Sequence, residues 1–497
     1  MILRTVAFLV AGVASLSCPL TSIQSAESPR PNIVFFFIDD MGWTDLGFMG
    51  SDYYESPRTD QLAQQGMVFR SAYSNGPNCA PSRACLMSGQ YTPRHGIFTV
   101  GDPTRGNHRF RKLEPVPNKT VLDDSFVTLA EALRAGGYAT ATMGKWHLGA
   151  DPTTQGFDTN IAGREWGSPS GGGYHSPFKY PNLVNRDAGE YLTDRLTDEA
   201  CTFIESHRAE PFFLYLTHYA VHTPIQAKAD LTEKFVAKTK GKHHTNAKYA
   251  AMISSVDESV GRVLDTLDRL KLADNTIVLF LADHGSVYKG SLLKNRGTEV
   301  PCLMRWPDKI QPGIWCDELI QSTDFVATWF DVANVALPGD YRIDGISMAP
   351  LFDDPNKPIR EYVYGEMGSA RSIKTRDWNY VALRYTMEQI ESIRNNHRSV
   401  KQLMGLSGGV SRARMHPDAF DTDQLYDLTT DAQEMTNVAG DATNRKRLRQ
   451  MKRLLKHELE RFPERPFGEF VPGGNAVSGQ KQKDLAPLLK KFAANMK

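Results

Sequence analysis

Four short apolar runs constrain this chain more than any other feature: residues 33–38, 139–143, 212–217 and 276–281. Each is too short for a core helix, and each reads as a strand buried on both faces. Between them the stretches 126–135, 191–206 and 249–270 repeat apolar residues at helical spacing. Alternating strands and helices predict an α/β sandwich, a largely parallel sheet covered by helices.

Polar groups follow every run. Asp39 and Asp40 follow the first, Lys145 and His147 the second, His218 and His222 the third, and Asp283 and His284 the fourth. Any one pair is explained by a polar loop leaving a sheet. Open parallel sheets bind ligands beyond the carboxyl ends of their strands, so four such pairs together predict one polar rim of carboxylates, imidazoles and an ammonium.

At 497 residues the chain exceeds one small core, and two domains are expected. Beyond about residue 320 the pattern changes. An amphipathic helix at 324–335 precedes short strand-like pieces at 362–364 and 380–382, and a charged helix begins near Leu448. Domains are therefore expected at 27–360 and 361–497, the second a smaller α+β unit with a helical insert at 387–420 and a basic tail. The 58 basic residues nearly cancel the 57 acidic ones, which argues against nucleic acid or an anionic membrane as partner. Arg4, the apolar run 6–16 and the small and polar stretch 17–26 have the layout of a secretory signal over residues 1–26, so an exported, periplasmic or extracellular protein is expected. No segment is apolar enough for a stable membrane span. Cys18 invites a lipid anchor, for which Ser15-Leu16-Ser17 is a poor lead. Without Cys18 five cysteines remain, an odd number and too few for a disulfide scaffold.

One of them stands in a distinctive context: Asn78-Cys79-Ala80-Pro81-Ser82-Arg83-Ala84-Cys85-Leu86-Met87-Ser88-Gly89. Pro81 suits the first turn of a helix, which would put Cys79 at its positive end, where backbone N–H groups and the Arg83 guanidinium favour a tetrahedral anion. The bland alternative is a small buried cysteine. In order and spacing the stretch resembles the signature of the type I, formylglycine-dependent sulfatases, whose fold is alkaline phosphatase-like. Ile38-Asp39-Asp40-Met41-Gly42, Gly144-Lys145-Trp146-His147-Leu148-Gly149, Val221-His222-Thr223-Pro224 and Ala282-Asp283-His284-Gly285 resemble further motifs of that family, and Asp344-Gly345, Arg371-Ser372-Ile373-Lys374 and Leu425-Tyr426-Asp427-Leu428 its architectural landmarks.

The resemblance implies that Cys79 is oxidised to formylglycine by a formylglycine-generating enzyme, and that Asp39, Asp40, Asp283 and His284, with the modified residue 79, hold one divalent cation. Three carboxylates favour a hard ion of loose geometry, calcium. It further implies a hydrated aldehyde, one hydroxyl of which gives up its proton to Asp283 and attacks sulfur. Arg83 and Lys145 would offset charge on the sulfuryl oxygens, His222 would protonate the leaving alcohol, and His147 would take the second hydroxyl's proton to expel sulfate. The family's sulfate lysine falls in an altered loop, where Lys289 is the first candidate and Lys294 the second.

The expected substrate is a sulfated small molecule or glycan, with sugar contacts sought in Gly163-Arg164-Glu165-Trp166-Gly167, Tyr174-His175 and the basic stretch 105–112. Two alternatives stay open: a formylglycine-dependent phosphonate or phosphodiester hydrolase, and a non-catalytic relative that binds sulfated glycans.

Overall fold

The computed structural model describes residues 30–101, 118–285, 290–292, 297–337, 339–368, 370–383, 418 and 421–462. The four apolar runs are strands β1 (Asn32–Ile38), β4 (Ala139–Gly144), β6 (Phe212–Thr217) and β7 (Thr276–Ala282). They join β2 (Met67–Phe69), β5 (Thr159–Ile161), β8 (Cys302–Arg305) and β9 (Ile314–Cys316) in one eight-stranded sheet of order β5-β4-β6-β1-β7-β8-β2-β9. Every pairing is parallel except those of β8 with β7 and with β2. A two-stranded pair, β3 (Ala72–Tyr73) with β10 (Ile320–Gln321), lies outside it.

Strands β1, β6 and β7 carry no exposed residue, so both faces of the sheet require helical cover. On one face Phe35 meets Phe325 of helix α5 (Asp324–Ala333), which packs with α1 (Cys79–Ser88) and α2 (Leu129–Ala135). On the other, Phe212 meets Phe203 of α3 (Leu192–Ser206), which packs on α4 (Ala247–Arg269). Each such apolar side chain taken out of water contributes about 1.5–3 kcal/mol before the entropy of ordering is counted. Helix α2 starts later than the periodicity predicts because Thr128 and Glu131 close a capping box, leaving Phe126 and Val127 ahead of it.

The second sheet is antiparallel, β11 (Val363–Glu366), β12 (Ala370–Lys374), β13 (Trp378–Leu383) and β14 (Asp423–Asp427) in that order. Met451, Leu455 and Leu459 of α6 (Arg445–Glu460) cluster with its Ile373, Tyr380 and Leu425. Arg371, among the landmark residues, forms a buried ion pair with Glu366. The export signal, Cys18 and, apart from Asp418, the insert at 387–420 lie outside the described residues. No described helix is long and apolar enough to cross a membrane.

All five described cysteines are free thiols. Cys316 and Cys302 flank Phe69 from the two neighbouring strands, and two strand spacings, roughly 9.5 Å, exceed disulfide reach.

Candidate active site

The four strands with polar sequels are contiguous, β4-β6-β1-β7, which sets their carboxyl ends side by side. Hydrogen bonding continues past the strands: Asp283 N–H donates to Ile38 O at 3.0 Å, Asp39 N–H to Ala220 O at 3.1 Å and Lys145 N–H to Thr217 O at 2.7 Å. Asp39, Lys145 and Asp283 are thereby held, fully buried, on adjacent chain segments. Asp40 follows in the left-handed region at φ 59°. That turn aims its N–H at Asp283 Oδ1, 3.1 Å away, while its carbonyl accepts from Tyr249 Oη at 3.1 Å.

Cys79 is the first residue of α1. Its Sγ is 3.1 Å from His284 Nε2. Burial, and next the Asp39 carboxylate, push the thiol well above its ordinary range, so unmodified Cys79 is a poor nucleophile and a poor thiolate ligand. Arg83, one turn on, donates to Lys145 O at 2.8 Å, Thr217 Oγ1 at 2.6 Å and Asp283 Oδ2 at 3.1 Å. Ser82 Oγ donates to the Asp283 carbonyl. Lys145 Nζ lies 2.6 Å from Asp39 Oδ2. Burial alone would raise Asp39; the Lys145 ammonium, then His222 and Arg83, outweigh it and hold the carboxyl below the usual carboxylate range.

The donor set fits a cation. His284 Nδ1–H donates to Gly285 O at 2.9 Å, and in the tautomer that bond selects, the Nε2 lone pair faces Asp40 Oδ1 at 3.2 Å and Asp283 Oδ1 at 3.5 Å. Asp39 Oδ1 is buried and accepts no hydrogen bond among the described residues. Ligand atoms of Asp39, Cys79, Asp283 and His284 lie within 4.8 Å of one another, as do those of Asp40, Cys79 and His222. Carboxylate oxygens and an imidazole lone pair converging on one point are the arrangement a hard divalent ion satisfies.

Two more imidazoles complete the rim. His222 Nδ1–H donates to Thr223 O at 2.6 Å, which directs Nε2 toward Asp40 Oδ2, 3.7 Å away. His147, at φ 65°, donates its N–H to Arg164 O at 2.9 Å. Burial, then the Lys145 and Arg83 cations, depress its basicity well below the ordinary histidine value, and its Nδ1 has no hydrogen-bond partner among the described residues.

Two expectations change. His218 does not join the rim: it is buried against α4 with Nε2 2.9 Å from Ser259 Oγ, because the first residue after β6 points to the helical layer. Tyr174 is not exposed to a sugar; its buried hydroxyl donates to Tyr219 O at 2.6 Å and His222 O at 2.8 Å, bracing the His222 turn. Trp166 shares its ring with the Arg164 guanidinium, 4.6 Å from the centroid. Lys289, Lys294 and residues 105–112 lie outside the described residues. Sequence reasoning missed Thr217, which only its polar character at a strand end could have flagged, and Tyr249, for which there is no local signal.

Residues 31–335 match the family model described as Sulfatase, and residues 283–391 that described as N-sulphoglucosamine sulphohydrolase, C-terminal. The chain belongs to the sulfatase family. Its sheet and smaller antiparallel unit are those of the alkaline phosphatase-like superfamily, and membership makes it a sulfuric ester hydrolase. The N-acetylgalactosamine-6-sulfatase of Mus musculus is 32% identical to this sulfatase over 372 residues, 66% of this chain and 67% of that one. A solved structure of BT4656 in complex with its substrate D-glucosamine-2-N,6-O-disulfate aligns with TM-score 0.67 and 20% identity over 88% of this chain and 100% of the other. The phosphonate monoester hydrolase of Agrobacterium radiobacter aligns with TM-score 0.61 and 18% identity over 90% and 99%. The fold is thus shared beyond sulfate esters, and the reaction has to be argued from the site.

Proposed function

We propose that this sulfatase removes sulfate esters from carbohydrate, with formylglycine made from Cys79 as its nucleophile and one calcium ion held by Asp39, Asp40, Asp283 and His284. The observation that carries the reading is the convergence of those four side chains on a buried, protonated thiol. A thiol in that ring of carboxylates is unsuited to attack, whereas an oxygen at the same position would serve both the cation and the reaction. With water added across the aldehyde, the bound cation would acidify one of the two hydroxyls so that Asp283 could take its proton for attack on sulfur; loss of the second hydroxyl's proton would then break the carbon–oxygen bond to sulfate and re-form the aldehyde. Arg83 and Lys145 offset the charge on the sulfuryl oxygens. His222, protonated at Nε2, hands its proton to the departing sugar oxygen. His147, kept neutral by its surroundings, is the base of the release step.

Gly290 N–H donates to Pro77 O at 2.7 Å, two residues ahead of Cys79, and this tether supports Lys289 over Lys294 as a further sulfate contact. The relative named for N-acetylgalactosamine 6-sulfate and the neighbour bound to a sulfated glucosamine support a sugar as the leaving group. Residues 1–26 are proposed to direct export, with the generating enzyme a partner during maturation.

Peptide mass spectrometry of protein from its native host, paired with sulfate release from a panel of defined sulfated sugars, tests the reading. Aldehyde at residue 79 and release from sugars are expected. An unmodified Cys79 in active protein, activity confined to aryl sulfates, or faster hydrolysis of phosphonate esters would overturn it.

A further inference from the structure

Helix α6 departs from the charge balance of the chain. The whole sequence sets 58 basic residues against 57 acidic ones, yet α6 carries seven cations from Arg445 to Lys456 and no acid before Glu458. Its apolar stripe, Met451, Leu455 and Leu459, is buried on the second sheet, which turns the opposite face outward. Two cations have partners: Lys452 Nζ lies 2.6 Å from Asp423 Oδ2, and the Arg447 guanidinium lies over Trp378 at 5.1 Å. Arg445, Lys446, Arg449, Arg453 and Lys456 are exposed and make no ion pair among the described residues. Lys446, Arg449, Arg453 and Lys456 follow one another at steps of three, four and three, a single helical face about 15 Å long.

This arrangement works against the helix. The positive end of the helix dipole meets Arg445, Lys446 and Arg447 with no acid in the first turn, and like charges three and four residues apart repel. Among the described residues no acid pairs with Arg445, Lys446, Arg449, Arg453 or Lys456, and a local rule broken across a whole face marks a surface shaped by something outside the helix.

We propose that the exposed face of α6 is a docking surface for a sulfated polysaccharide, holding the polymer on the second sheet's helix. A linear ladder of cations complements regularly spaced sulfates along an extended chain. A membrane surface fits less well, since the exposed positions of α6 hold no apolar residue to insert. The choice of a sulfated glycan rests on the carbohydrate-sulfate reading above.

The test compares the full chain with its Arg449→Gln/Arg453→Gln variant, using dextran sulfate, uncharged dextran and phosphatidylserine vesicles as probes. The parent is expected to bind dextran sulfate but not dextran, with affinity falling steeply as salt rises. The variant should bind on the order of tenfold more weakly with a shallower salt slope, and should melt at or above the parent's temperature because repulsion is relieved. Hydrolysis of a monosulfated monosaccharide serves as the folded-enzyme control and should match the parent. Equal affinity of parent and variant for dextran sulfate, or tighter binding of the parent to vesicles, would overturn the proposal. Loss of sulfate release from every sugar with charge-dependent binding intact would count against the Cys79 reading alone.

Discussion

Gly167 stands against the imidazole of His147 so closely that a β-carbon on it would lie 2.5 Å from Cε1 and 2.7 Å from Nε2. The same loop receives the His147 N–H through Arg164 O, so residues 164–167 set the ring from two sides. Substituting Gly167→Ala should displace the ring while leaving the sheet intact. A displacement near 1 Å at a reacting group costs on the order of 100-fold in rate. Steady-state kinetics should therefore show a fall in kcat with KM and Tm little changed; a kcat within twofold of the parent would show that the ring tolerates the shift.

The Lys145–Asp39 pair is fully buried at 2.6 Å. Removing the ammonium with Lys145→Met leaves Asp39 charged beside Asp40 and Asp283, and loss of one partner of a buried pair costs about 3–5 kcal/mol. Denaturant unfolding should show that loss. Adding Asp39→Asn to the same chain should restore much of the stability, since no bare charge remains, while activity stays absent.

Calcium should stabilise the folded chain. A ligand bound only by the folded state at 100 times its dissociation constant adds about 2.7 kcal/mol, so thermal melts should rise with calcium, fall after chelation and respond less to magnesium. In His284→Ala the rise should shrink, because the Nε2 facing Asp40 and Asp283 is gone. Melts indifferent to calcium in the parent would remove the cation from the proposed function.

The central strands were legible because a strand buried on both faces is a near-continuous apolar run: 212–217 is β6 residue for residue, and β1, β4 and β7 differ by one residue at an end. The rim followed from those strand ends. What was not legible depends on tertiary direction. His218 and His222 read alike in the sequence, but one turns into the helical layer and the other, four residues on, reaches Asp40. Strands β2, β8 and β9, at three and four residues, are too short for periodicity to separate from loop. Tyr249 reaches Asp40 O from 209 residues away, a distance over which no pattern in the sequence carries information.

Two buried histidines outside the site should govern acid stability. His95 Nδ1 accepts the Ile97 N–H at 3.1 Å, which leaves Nε2–H toward Cys85 Sγ at 3.4 Å; an added proton has no place there. His218 is enclosed against Ser259. Burial lowers both from 6.5 to about 3. Between those values the unfolded chain binds protons that the folded chain refuses, so stability falls as pH falls, by about 2 kcal/mol per histidine at pH 5. Asp39 and Asp52, whose folded values are depressed below 3.8, lose their contribution only below that pH, which leaves the window from about 4 to 6.5 to histidines and to raised carboxylates such as Asp257 and Asp324. Those carboxylates act with the opposite sign, so the informative quantity is the difference between variant and parent. His95→Asn keeps an acceptor for Ile97, and His218→Gln keeps a partner for Ser259. Urea unfolding from pH 7.5 to 4.5 should show a shallower acid limb in each variant whatever its stability at pH 7.5, and parallel curves for variant and parent would mean that the two imidazoles are protonated in the folded chain as readily as in the unfolded one.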